Sequence, residues 1–165
     1  MVRLKSDELE PTVIKLSSLL QYMLYETDEE KVLLRNEEES LHNYIELQRL
    51  RFSTKLTLNT RFDVKEEWHS IEPMLLIPFV ENAFKHGNGL MQNPEIDIHL
   101  QSVNNQLDFF VKNKYVNTDT AKDKTSGIGL ANVKRRLQLL YPDKHTLLID
   151  DNNGWYKVHL KLFLK

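Results

Sequence analysis

The stretch Leu75-Leu76-Ile77-Pro78-Phe79-Val80-Glu81-Asn82-Ala83-Phe84-Lys85-His86-Gly87 separates into two faces when wound as a helix. At about 100° per residue, Leu76, Phe79, Val80 and Ala83 share one face, and Asn82, Lys85 and His86 share another. The pattern predicts a helix over Met74 to His86, entered after Pro73 and stopped by Gly87, with Pro78 moving its start later. Two cations in the last turn and a glycine beyond it suit any helix end. That explanation leaves out Asn82, a poor helix former placed beside those cations. Its amide oxygen is a hard neutral ligand suited to Mg²⁺, and Lys85 and His86 are suited to phosphate. Both explanations stand on spacing alone.

Strand signals flank this helix. Before it, Leu56 to Phe62 alternates and predicts one strand. After it come Ile96 to Leu100 and Gln106 to Val111, with Asn104-Asn105 as the turn between them. The polar stretch Lys114 to Ser126 reads as a loop. Gly127 to Leu140 reads as a helix ended by Tyr141-Pro142. Two last strands, Leu147 to Ile149 and Tyr156 to Leu162, flank a turn at Asn152-Asn153-Gly154. Hairpin strands with helices between them predict an α+β fold, a two-layer α/β sandwich with a mixed sheet and helices on one face.

Further outward, the first 50 residues carry no glycine and repeat apolar residues at helical spacing. Leu9, Val13, Leu16, Leu20 and Leu24 form a stripe that Ile14, Leu19 and Met23 widen. Ser6 reads as its N-cap, with Pro11 in or near the first turn. A second helix follows from about Arg35, opened by Glu37, Glu38 and Glu39 and closed by Arg49 and Arg51. A short polar link without a strand joins the two. The stripe is too wide to leave in water and needs a partner, either the rest of the domain or a second chain.

Four of the five glycines lie in two clusters, Gly87 with Gly89 and Gly127 with Gly129. The second opens a helix, where free backbone N–H groups suit an anion. It does not follow a strand and lacks a third glycine, so a dinucleotide-binding turn is excluded. Lys134-Arg135-Arg136 reads as a solvated face or a contact to phosphate or a partner. Composition narrows the classes further. The chain of 165 residues has no cysteine, which removes thiolate zinc sites and cysteine nucleophiles, and its net charge of −2 lacks a nucleic-acid binder's footprint. No apolar run reaches the length of a membrane span.

Together these motifs resemble the ATPase domain of histidine kinases, specifically the LytS/YehU-type sensor kinases. Glu81 to Gly87 resembles the family's N box, and Gly127 to Leu137, running on to Pro142, resembles its second glycine box and following helix. Leu16 to Tyr25 and Tyr44 to Phe52 resemble the helices between phosphoacceptor and ATPase domains. All four occur in the family's order. The resemblance implies a Bergerat-type ATP site in residues 54–165, preceded by dimerisation helices in residues 1–53. By that resemblance Asn82 holds Mg²⁺, Lys85 and His86 face the phosphates, and Lys85 neutralises charge during transfer. Gly127, Gly129 and Leu130 shape the nucleotide wall, Lys114 to Ser126 forms a lid, and Asn113 stands where the family reads adenine with an aspartate. The implied partners are ATP, a response regulator and a second copy through residues 1–53. The implied location is the cytoplasm, with the intact protein anchored in the inner membrane.

Three departures shape the expectation. The family's Pro-His-Phe-Leu-Phe-Asn phosphoacceptor motif does not occur, so the chain is expected to be a fragment with its acceptor histidine upstream, unable to autophosphorylate alone. Asn113 lacks the aspartate's charge, and the glycines that usually follow are absent. Fold relatives that hydrolyse ATP carry a glutamate one turn before the Mg²⁺ asparagine, where this chain has Pro78. Glu81 points about 100° away from Asn82, so no general base is assigned. The alternatives are a non-catalytic signalling module with a degenerate nucleotide site, and a purely helical dimeriser.

Overall fold

The computed structural model describes residues 6–25, 28–52, 55–87, 93–115 and 126–164. Along the chain run α1 (Ser6–Tyr25), β1 (Val32–Leu33), α2 (Leu34–Arg51), β2 (Thr57–Val64), β3 (Ser70–Ile71), α3 (Ile77–His86), β4 (Glu95–Val103), β5 (Gln106–Lys114), α4 (Ser126–Leu140), β6 (His145–Asn152) and β7 (Trp155–Phe163). Five strands form one sheet in the order β2-β4-β5-β7-β6. The two hairpins pair antiparallel, as tight turns require, and β2 runs parallel to β4 because α3 crosses over between them. Asn104 and Asn105 both take positive φ, as do Asn153 and Gly154, the backbone that two-residue hairpin turns demand. The mixed sheet expected from the sequence is the one observed.

Alternation along the strands builds the two layers. In β5, Leu107, Phe109, Val111 and Asn113 are buried, while Asp108, Phe110 and Lys112 face the opposite side. Val158, Leu160 and Leu162 of β7 continue the buried row. Over it lie Phe79 of α3, edge-on to Phe109 at 6.2 Å between ring centroids, and Val133 and Leu137 of α4. The other sheet face is polar, with Lys112 2.9 Å from Asp97 and His159 3.1 Å from Asp108.

Several local expectations shift. Met74 has φ +59°, which no helix residue adopts, so α3 starts at Ile77 with Pro78 in its first turn. β2 begins one residue later than the alternation indicated and runs on to Val64. α1 already contains Ser6, and Pro11 sits inside it, so the cap lies outside the described residues. The link between α1 and α2 does hold a strand. Val32 and Leu33 pair with Ile71 and Ser70, and two residues show no alternation by which to be found. The first N–H groups of α2 are met by the carbonyls of His69 and Glu67 rather than by a capping side chain.

The helical hairpin buries one edge of the widened stripe and leaves its centre outside. Leu19 and Tyr22 of α1 join Leu34, Leu41 and Ile45 of α2 in the same apolar cluster as α3 and the sheet. Leu9, Val13, Leu16, Leu20 and Leu24 point away and stay about half exposed. Among the described residues nothing covers Leu9, Val13, Leu16, Leu20 and Leu24, while Leu19 and Met23 at the stripe's edge pack on the core.

Candidate functional site

α3 is amphipathic along its whole length, and its two faces have two destinations. Phe79, Val80, Ala83 and Phe84 are buried against the sheet and α2. Asn82 and His86 are half-buried and Lys85 is exposed, one turn apart on the face left over. The helix ends where its Gly87 N–H reaches the Ala83 carbonyl at 2.7 Å.

Gly87 has φ −88°, so its lack of a side chain serves contact and not left-handed backbone. A Cβ there would lie 2.8 Å from the Ala83 oxygen and 3.3 Å from both Asn113 Cβ and Ile96 Cδ1. α3 therefore ends directly on Asn113 of β5. Asn113 closes the buried row of that strand, only 1% exposed, with its amide donating to the Lys114 carbonyl at 3.1 Å. Two residues that sequence motifs single out separately are thus in contact.

Gly127 lies in the first turn of α4, and Leu130 packs half-buried on the core. A Cβ on Gly129 would meet nothing within 4 Å among the described residues, so none of them requires that glycine. α3 and α4 are neighbours over the same sheet face. Gly89 and most of the segment read as a lid, residues 116–125, fall outside the described residues.

Beside Lys85, a groove of about 400 Å³ separates α3 from α2, lined by Tyr44, Gln48, Arg51, Glu81, Phe84 and Lys85 itself. Burial, reinforced by the Glu81 carboxylate, pushes the Tyr44 phenol up to about 12, so it stays a neutral hydroxyl at ordinary pH.

Two polar residues read differently from their sequence context. Glu37 reads as a first-turn acid, yet it is fully buried beneath the turn that precedes α3. Its oxygens accept from the N–H groups of Met74 at 3.0 Å, Leu75 at 2.9 Å and Leu76 at 3.0 Å, and from the Tyr22 hydroxyl of α1. Burial pushes its carboxyl pKa up, and those donors oppose the shift. Arg136 does not belong to a solvated face. Unlike exposed Lys134 and Arg135, it turns inward and donates to the carbonyls of Pro73 at 3.0 Å and Met74 at 3.2 Å. Spacing could not reveal either, because the partners lie on other elements.

Residues 1–56 match the histidine kinase family model. The chain is similar to sensor histidine kinase YpdA of Escherichia coli, 30% identical over 150 residues that make up 85% of this chain and 26% of YpdA. It is similar to sensor protein LytS of Streptococcus agalactiae, 26% identical over 96% of this chain and 30% of LytS. The chain thus spans about a third or less of these relatives' length. Its fold matches histidine kinase ThkA, solved in complex with response regulator protein TrrA, with TM-score 0.54 and 13% identity over 96% of this chain and 50% of ThkA. It also matches full-length ShkA, solved in complex with AMPPNP, with TM-score 0.58 and 14% identity over 94% of this chain and 36% of ShkA. The fold is that of histidine kinase catalytic domains.

Proposed function

We propose that this chain, a homologue of the sensor histidine kinases YpdA and LytS, is the ATP-binding catalytic portion of a two-component sensor kinase. It passes the γ-phosphoryl group to a histidine and thence to a response regulator. Residues 54–165 bind the nucleotide and residues 1–53 belong to the dimerisation region. One observation carries this reading: the Asn82, Lys85 and His86 face of α3 ends on buried Asn113 through Gly87, on a kinase catalytic fold. The AMPPNP bound by ShkA and the regulator bound by ThkA are the precedents for ATP and for the protein partner.

The electrostatics of the two helix ends support a triphosphate between them. A helix C-terminus carries partial negative charge and repels an anion, so α3 needs Lys85 and His86 in its last turn to meet phosphate. The N-terminus of α4 has the opposite sign, and Gly127 lies in its first turn, where backbone N–H groups favour an anion. Among the described residues nothing stands within 4 Å of a Cβ at Gly129, which leaves a ligand room there, with Leu130 against it. Asn82 offers one amide oxygen, which fits Mg²⁺, an ion that keeps several waters and takes its other ligands from phosphate. Bound there, Mg²⁺ supplies charge neutralisation at the transferring phosphoryl group. Lys85 adds a second positive charge, and Asn113 meets adenine with either a donor or an acceptor. Among the described residues no helix is long and apolar enough to cross a membrane, and we place this part of the protein in the cytoplasm.

Calorimetric titration of the chain with ATP tests the reading. Mg²⁺-dependent binding is expected. A folded chain that binds no nucleotide would overturn it in favour of a signalling module, the alternative that Asn113 in place of an aspartate favours. The exposed α1 stripe supports a second copy as its partner. Light scattering is expected to show a dimer, and Leu16→Glu with Leu20→Glu to show a monomer of unchanged helicity. A double variant that stays dimeric would remove α1 from the interface.

A further inference from the structure

We infer that Glu37 is a positioning residue for the nucleotide site, setting from α2 the placement of both helices that carry it. The inference rests on the proposed ATP-binding reading and goes beyond it, because Glu37 lies in the helical hairpin and touches none of the candidate ligand-binding residues.

The turn Pro73 to Leu76 is gripped from two sides. From α2, both carboxylate oxygens of Glu37 are filled by three successive backbone N–H groups and the Tyr22 hydroxyl. Three amides converging on one anion form a nest, and Leu76 is the N-cap of α3, whose positive end favours the same charge. From α4, Arg136 holds the carbonyls of the same turn. Between them Met74 keeps φ +59°, a conformation a methionine holds only where its surroundings over-determine it. Its N–H goes to Glu37 and its carbonyl to Arg136.

The far ends of the two gripped helices carry the site. α3 leads from this turn to Asn82, about 9 Å further along at 1.5 Å per residue, and on to Lys85 and His86 at about 14–15 Å. α4 runs back from Arg136 to Leu130, Gly129 and Gly127. A shift of the turn therefore moves Asn82 relative to Gly129. The carboxylate that fixes the turn depends in turn on the packing of α1 against α2, because its fourth donor is Tyr22 of α1. The grip is buried, so a lost donor there is not replaced by water.

Glu37→Gln keeps the shape but puts an amide NH₂ against N–H or O–H donors. The test compares it with wild type and with Ile45→Val, a buried α2 control away from the turn, by thermal melting, Mg²⁺-ATP titration and backbone amide exchange. For Glu37→Gln we expect a cooperative melt, ATP affinity about tenfold weaker, and faster exchange at Leu75, Leu76, the last turn of α3 and Leu130 to Val133. The β4–β5 hairpin is expected to keep its protection, and Ile45→Val to bind ATP as wild type does. Unchanged exchange in α3 and α4 overturns the inference, as does acceleration spread evenly over the chain or an equal affinity loss in Ile45→Val. Should wild type bind no ATP, the proposed function fails while the exchange pattern still decides the role of Glu37. Should Glu37→Gln fail to fold, Tyr22→Phe, which removes one donor of four, is read in its place: the same pattern at smaller amplitude supports the role, and wild-type exchange in α3 and α4 overturns it.

Discussion

Asn82→Ala is expected to weaken Mg²⁺-dependent ATP binding about tenfold to a hundredfold without destabilising the chain. The loss corresponds to one contact to a charged group, about 1.5–3 kcal/mol. The stability side has the opposite sign. Asn82 sits half-buried on the face of α3 turned away from the core, and asparagine is worse in a helix than alanine by about half a kcal/mol. The variant should therefore melt at the same temperature as wild type or slightly above it while binding less. Titration with and without Mg²⁺, beside a thermal melt, reads both quantities. Equal affinity in the variant would remove Asn82 from the site. Parallel loss of affinity and stability would make it a structural residue.

Gly87→Val is expected to lower stability by about 3 kcal/mol, and Gly87→Ala by a smaller amount of the same sign. Conformational entropy argues the other way: at φ −88° an alanine is unstrained, and such replacements stabilise by about 0.4–1 kcal/mol through the unfolded chain. Contact decides the outcome. The nearest atom to an added Cβ is the Ala83 carbonyl oxygen at 2.8 Å, and that oxygen is fixed because it accepts the Gly87 N–H. Asn113 and Ile96 close the other directions at 3.3 Å. For a chain of this size the valine variant should melt roughly 6–12 °C lower. An alanine variant as stable as wild type would show that α3 does not press on β5 at this point.

The elements of this chain were legible because local chemistry specifies them. Alternation marked β2, short apolar-rich runs marked the strands of both hairpins, and Asn104-Asn105 and Asn152-Asn153-Gly154 marked the turns, where Asn104, Asn105, Asn153 and Gly154 take positive φ. The two-faced stretch from Leu76 to His86 marked the helix with its buried and polar sides. Asn82, Lys85 and His86 could be grouped from spacing, since residues three and four apart share a helix face wherever the helix ends up.

Position relative to distant elements was not legible. The apolar stripe on α1 reads as a packing face, but only its edge at Leu19 and Met23, with Tyr22, makes the intramolecular contact, and Leu9, Val13, Leu16, Leu20 and Leu24 stay outside. Gly87 looked like a helix stop and proved to be the point where α3 meets Asn113 of β5.

By itself, the sequence determined which segments form the four helices and the five strands of the main sheet, where the two hairpins turn, and which residue types share the polar face of α3. These depend on backbone preferences and periodicity within about a dozen residues. Only the tertiary structure decided that Glu37 is buried, that Arg136 turns inward, and that a two-residue β1 pairs with β3. Glu37 meets backbone groups 37 to 39 positions away and Arg136 groups 62 and 63 away. Whether a charged side chain is solvated or satisfied internally depends on what packs over it, and periodicity carries no information across such separations.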